Sequence, residues 1–307
     1  MQNFTAAGLT ALLVRVVEAR DPALAEGVAR PDPMARAVVP DAVKRLLIDR
    51  VLERHGPGPL LAVGRHLDRV DETPVHTVLL RSGDPAVLAE KWRRLERYLH
   101  SSHRVAIEAR ERSWSCLRTS TGGPPPTFGE NCLIAGLLFG LLGRIGCEGL
   151  RLGIGGLEFD SDALETATLP EGETVEAFRF EWSRDAANSA PEPSAAVGGP
   201  VDDSLTDLLA SDLGRGWTVA EAARRLAFSK RSLQRRLADE GRSFSSVLRR
   251  ARMREATELL TRGEATLAEI GYCCGYADQA HFQRDFLRAT NLTPRRFREL
   301  NALRASQ

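Results

Sequence analysis

Arg231, Gln234 and Arg235 stand close together in the run KRSLQRRLADE and share one helical stripe with Ala238. At this spacing guanidinium and carboxamide groups can make forked hydrogen bonds, arginine to a guanine edge and glutamine to an adenine edge. Leu233 and Leu237, spaced i, i+4, occupy the other side and suit a core. Such a helix is held by one face and leaves the other free to read a base sequence. The bland alternative is a solvated charged face, the usual fate of an arginine-rich helix. The elements around the run decide between the two.

Upstream, Thr218-Val-Ala-Glu221 predicts a capping box and the start of a short helix with Val219, Ala222, Ala223 and Leu226 on its apolar face. Ser229 is then the N-cap of the KRSLQRRLADE helix, and Gly241 closes it. A longer helix is predicted from about Ser245 to Leu260, ended by Gly263 and about 24 Å long, a rigid spacer. Its Arg249, Arg250, Arg252 and Arg254 have open roles: phosphate contacts, pairing with Glu255 and Glu258, or neither. The pattern then repeats. Thr266 begins a short helix, Gly275-Tyr276 breaks it, and Asp278 caps QAHFQRDFLRAT with Phe282 and Phe286 as its core pair. Gln279 with Gln283, and Ala280 with Arg284, form its exposed pairs. Asn291 suits a left-handed turn before a last basic helix, RRFREL.

From about Thr218 to Arg298 the chain resembles the arabinose-regulator (AraC/XylS) family of transcription factors. The residues that carry the likeness are S-x-R-S-L-Q-R-R-L at 229–237, A-E-I-G-Y-x-x-G-Y at 268–276, D-Q-A-H-F-x-R-x-F at 278–286 and T-P-R-R-F-R at 293–298. The resemblance implies a double helix-turn-helix domain. Arg231, Gln234 and Arg235 would read bases in one major groove, and Gln279, Ala280, Gln283 and Arg284 would hold the matching positions in the next. Lys230, Arg236, Arg249, Arg250, Arg295 and Arg296 are the candidate phosphate contacts. The chain departs from the family pattern at Gly271, at Asn291 where a glycine is usual, and at Ala280, which offers a methyl to thymine rather than a hydrogen bond.

Charge agrees with a polyanionic partner for one half only. Residues 1–200 carry 23 Lys/Arg against 27 Asp/Glu, whereas residues 201–307 carry 19 against 14, and 18 of those 19 are arginine. The five cysteines include no C-x-x-C pair and read as reduced thiols, with Cys273-Cys274 as small core residues. The N-terminus lacks a basic region before its apolar stretch, so no signal peptide is expected. Leu133 to Gly143 is too short for the roughly 20 residues of a membrane span and predicts a buried helix. The expected location is the cytoplasm, at the nucleoid when bound to DNA.

The stretch SRDAANSAPEPSAAVGGP at 183–200 predicts a linker. It divides an α+β domain at 1–182 from an all-α double helix-turn-helix domain at 201–307. In the first domain, apolar periodicity predicts helices at 5–19, 40–54, 85–99 and 128–146. Strands are expected at 75–80, 103–109, 112–119, 149–159 and 173–182. GPLLAVGRHL at 58–67 and GDPAVLAEKWRRLERYL at 83–99 are similar to segments of the α+β effector domains in one branch of the same family. The domain is therefore expected to bind a small-molecule effector or a protein partner, or to dimerise, and Trp92 and Trp114 are its candidate effector contacts, with core packing the alternative. The resemblance makes a homodimer the expected state and leaves RNA polymerase open as a further partner.

No cofactor is expected. Glu96, His100 and His103 lack a fourth ligand for a metal, and GLRLGIGG at 149–156 lacks the lysine and Ser/Thr of a phosphate loop. The Pro-Cys-His-Arg setting of a methyl-acceptor cysteine is absent, as are G-x-S-x-G and H-E-x-x-H. An enzyme fused to a DNA-binding module is thus disfavoured. An effector-independent architectural DNA binder is the other alternative, disfavoured by the long apolar pattern upstream of the linker.

Overall fold

The computed structural model describes residues 4–5, 7–28, 39–69, 74–98, 102–184, 201–262 and 265–305. They divide into two compact units, Met1–Thr73 with Gly83–Asn188, and Pro74–Ser82 with Ser189–Gln307. Most of the expected linker (185–200), Leu99, His100 and Gly263 lie outside the described residues.

In the first unit, β1 (Phe4–Thr5) pairs antiparallel with β2 (Val39–Pro40), with α1 (Ala7–Arg20) between them and α2 (Asp41–His55) after. A short helix α3 (Gly58–Leu61) runs into a 3-10 segment at Val63–Arg69. The chain then gives α4 (Pro74–Leu80) to the second unit and returns with α5 (Pro85–Tyr98), whose first turn is capped by Asp84 through the Val87 N–H at 2.8 Å. β3 (His103–Arg110), β4 (Ser113–Ser120), β5 (Arg151–Ile154), β6 (Leu157–Phe159) and β7 (Ala177–Glu181) form an antiparallel sheet in the order β3-β4-β7-β5-β6. Strand alternation sets its faces. Trp114 and Cys116 point inward, opposite Phe180 and Phe178 of β7, while Ser115 and Leu117 are exposed.

The predicted apolar helix is α6 (Phe128–Arg144), buried along most of its length and packed on the sheet through Phe139 and Phe180, 6.5 Å between ring centres. Glycines let its backbone approach the 3-10 segment closely. A Cβ on Gly140 would stand 2.3 Å from Gly64 Cα, and one on Gly136 would stand 2.4 Å from the Leu60 carbonyl oxygen. Its N-terminus closes in a full capping box between Thr127 and Glu130. Glu130 also pairs with Lys44 at 3.3 Å and Arg45 at 3.4 Å from α2. Burial pushes the Glu130 carboxyl up, but the Thr127 N–H and the cations around it outweigh burial and hold it below the ordinary range. Glu96 on α5 is the contrasting case. Both its oxygens accept from the Val105 N–H, at 3.1 and 3.2 Å, and Arg118 lies 3.8 Å away. There burial dominates and raises the carboxyl from 4.5 to about 7.

The second unit is helical: α4, α7 (Val201–Ser211), α8 (Val219–Arg225), α9 (Lys230–Asp239), α10 (Phe244–Arg262), α11 (Leu267–Cys273), α12 (Gln279–Thr290) and α13 (Pro294–Ala305). The strand expected at 75–80 is the helix α4 instead. Its valines and leucines favour a strand locally, but Pro74 presets a helical first turn, and packing against α11 buries Val78 and Leu79. α7 has no counterpart among the expected elements, although Val201, Leu205 and Leu209 at i, i+4, i+8 marked its buried face. The box expected at 218–221 closes by half. The Thr218 hydroxyl accepts from the Glu221 N–H at 3.2 Å, but the Glu221 carboxylate is taken by Arg215 at 2.7 Å. At Thr266 and Glu269 both bonds form.

Two outcomes follow for the first unit. Gly140→Ala should destabilise it by roughly 3 kcal/mol, because the added methyl meets backbone that cannot move aside. Gly143→Ala, with open space around the new methyl, should shift denaturant unfolding by less than about 1 kcal/mol. Equal effects would remove the close approach as the cause. Glu96 has a folded value raised above its unfolded one, so its contribution is full below about pH 4.5 and is lost as pH rises through about 7. Between those limits the wild type should lose roughly 1–3 kcal/mol relative to Glu96→Gln. Parallel unfolding profiles from pH 4 to 8 would contradict this.

Candidate nucleic-acid interface

α9 begins at Ser229, whose hydroxyl accepts from the Ser232 N–H at 3.1 Å. Leu233 and Leu237, each 0% exposed, enter one core with Leu205 and Leu209 of α7, Ala222 and Ala223 of α8, and Val247 and Ala251 of α10. Their burial turns the other side outward. Lys230, Arg231, Gln234, Arg235 and Arg236 are all exposed. Arg231, Gln234 and Arg235 make no hydrogen bond or ion pair among the described residues. Arg236 lies over the Phe228 ring, 4.7 Å from its centre. The three predicted base readers thus share one solvent face and are free to bond outward.

α12 is built the same way with aromatic anchors. Asp278 caps it through the His281 N–H at 2.6 Å, and Phe282 and Phe286 are 0% exposed. Phe282 packs on Tyr276, and Phe286 on Phe297 of α13. Ala280, Gln283 and Arg284 are exposed and Gln279 is half-buried. Gln283 and Arg284 have no partner among the described residues. The turn before α12 needs Gly275. Its φ is +76°, and a Cβ there would stand 2.1 Å from the Leu213 carbonyl oxygen.

The remaining bases divide. Arg249 lies 3.0 Å from Asp285, and Arg250 bonds Asp202 at 2.5 Å and Thr206 at 3.0 Å. Arg252 donates to the Gly275 carbonyl at 2.7 Å, and Arg298 to the Ala265 carbonyl at 2.6 Å. Arg295 and Arg296 are exposed and reach Glu299 at 3.1 and 3.4 Å, and these bonds hold its carboxyl below the ordinary range. Arg254 is exposed and unpaired among the described residues. Sequence reasoning missed Asp285 and Asp202 as partners. The available signal for Asp285 was its position three residues after Phe282, on the inner side of α12.

In the first unit, Trp92 is 5% and Trp114 0% exposed. Trp114 makes edge contacts with Phe180 and Trp182, 6.2 and 6.4 Å between ring centres. Neither lines the small apolar hollow bounded by Leu13, Val16, Leu24, Val51 and Leu60, which has room for about one water. Glu96 is turned to the Val105 backbone, and the described residues hold no group of three potential metal ligands. GLRLGIGG supplies β5 and its turn into β6, with Gly155 and Gly156 at positive φ. All five cysteines are buried and none forms a disulfide, and burial pushes the Cys116 and Cys132 thiols up to about 12. Among the described residues no helix is long and apolar enough to cross a membrane.

Residues 222–300, from α8 to α13, match the family model described as a helix-turn-helix domain. Over 95 residues the chain is 37% identical to the transcriptional regulator SirC of Salmonella typhimurium, covering 31% of this chain and 32% of that protein. Over 99 residues it is 31% identical to the urease operon transcriptional activator of Escherichia coli, covering 32% of this chain and 33% of that protein. The chain thus spans about a third of the length of the curated relatives it matches. The crystal structure of the transcriptional regulator CdpR from Pseudomonas aeruginosa aligns over 94% of this chain and 96% of its own, at 20% identity and a TM-score of 0.35. The matched segment coincides with the helices that present Arg231, Gln234, Arg235, Gln283 and Arg284, so residues 222–300 form a helix-turn-helix domain similar to the one in these transcriptional regulators.

Proposed function

We propose that the chain is a sequence-specific DNA-binding transcription regulator in which α8–α9 and α11–α12 are two helix-turn-helix units. α9 and α12 are the recognition helices and enter successive major grooves on one face of a duplex, about 34 Å apart. One observation carries this reading. Arg231, Gln234, Arg235, Gln283 and Arg284 are exposed and unpartnered, while Arg249, Arg250, Arg252 and Arg298 on the surrounding scaffold are engaged within the protein. Free guanidinium and carboxamide groups on a rigid helix are what forked base contacts require. Lys230 and Arg236 on α9 and Arg295 and Arg296 on α13 supply phosphate contacts, which add affinity without sequence information.

The first unit, with its own sheet and core, is the sensing half in this reading. It takes up a small effector or a protein partner, or carries a homodimer contact, in the cytoplasm. The effector acts by binding one arrangement of the protein more tightly than the other.

Arg235→Ala should cost about 1–3 kcal/mol on the cognate duplex and flatten base preference at one position, while binding to random duplex changes little. Fluorescence anisotropy on both duplexes measures this. An equal loss on the two would make Arg235 a phosphate contact.

A further inference from the structure

Neighbouring arginines on α10 grip different halves of the second unit. Arg249 Nε lies 3.0 Å from Asp285 Oδ1, and the Tyr276 hydroxyl donates to Asp285 Oδ2 at 3.1 Å. Asp285 is a buried residue of α12, beside Phe286. Arg252 reinforces the same contact, donating to the Gly275 carbonyl and lying 5.1 Å from the centre of the Tyr276 ring. Consecutive helix positions point about 100° apart, and Arg250 reaches away to Asp202 and Thr206 of α7. α7 is in turn fastened to α9. Glu240, the C-cap of α9, accepts from the backbone N–H groups of Val201 at 2.9 Å and Asp202 at 3.0 Å.

A straight helix fixes the place of its own residues but not the orientation of the readers packed on it. Directional bonds to both do: from one stretch of α10, Arg249 and Arg252 hold α12 and the turn before it, and Arg250 holds α7, which Glu240 ties to α9. We propose that Arg249, Arg250 and Arg252 are positioning residues that set the angular phase between α9 and α12, and so determine which spacing of half-sites the protein accepts. This rests on the reading of α9 and α12 as recognition helices. It deepens that reading by assigning specificity to residues that touch no base. Half-sites in adjacent turns of one face must arrive every 10–10.5 base pairs, so a small loss of phase costs the second half-site and spares the first. Loss of Arg249 also leaves the Asp285 carboxylate buried with only the Tyr276 hydroxyl, which weakens its hold on α12.

The test is selection of sites by the full-length chain from randomised duplex, followed by binding to single half-sites and to paired half-sites with spacing varied by single base pairs. The wild type should enrich paired half-sites at one spacing. Arg249→Ala and Arg250→Ala should bind a single α9 half-site within about twofold of wild type and lose about tenfold of the gain from the second. Their spacing preference should broaden, and their salt slope should stay unchanged. The exchanged pair Arg249→Asp with Asp285→Arg should recover the wild-type spacing, which separates positioning from mere loss of folding. A salt slope lower by about one with spacing preference intact would make these arginines phosphate contacts and overturn the proposal, as would variants that behave like wild type. A wild-type chain that enriches no sequence would instead overturn the DNA reading itself.

Discussion

Helices of ten and twelve residues, the lengths of α9 and α12, do not persist alone in water. Each exists here because one face is buried: Leu233 and Leu237 in one case, Phe282 and Phe286 in the other. The rest of the second unit follows from that requirement. α7, α8 and α10 supply the pocket for the leucines, and α11, α13 and the Tyr276 turn supply it for the phenylalanines. Burying a full stripe also orients what remains, so the polar residues of α9 and α12 face solvent without further devices.

Electrostatics then sorts the arginines by neighbourhood rather than by type. Those with a carboxylate or carbonyl in reach, such as Arg249 beside Asp285 and Arg252 beside Gly275, are engaged and serve structure. Those on the outward faces, Arg231 and Arg235, have no such neighbour and keep their donors for a partner. The same principle works in the first unit. Glu130 gathers enough cations and backbone donors to stay ionised despite burial, whereas Glu96 has fewer and is pushed toward its neutral form.

The first unit depends equally on close approach of backbones. Gly64, Gly136 and Gly140 let α6 lie against the chain at Leu60–Gly64, closer than any side chain would permit. Trp92, Trp114 and Trp182 are likewise buried in packing.

Much of the second unit was legible in the chain because its signals are local. Caps at Ser229, Thr266 and Asp278, the left-handed Asn291, and the i, i+4 apolar pairs each act within a turn or two of themselves. The exposed polar stripe of α9 followed from the same periodicity. Capping also shows where local reasoning stops. Thr218 and Glu221 have the right types and spacing, but Arg215 competes for the carboxylate, and only the folded chain decides that contest. PVHTVLL carries β-branched residues, yet burial against α11 makes it a helix and places it in the unit far downstream in sequence. The sequence alone determined α8 to α13, where they start, and the apolar faces of α8, α9 and α12, because those depend on neighbours a few residues away. Tertiary structure alone decided which arginines are held and which are free, because Asp202 is 48 residues from Arg250 and Asp285 is 36 from Arg249. The exposed stripes of α9 and α12 were therefore visible from the start, and the arginines engaged within the protein were not.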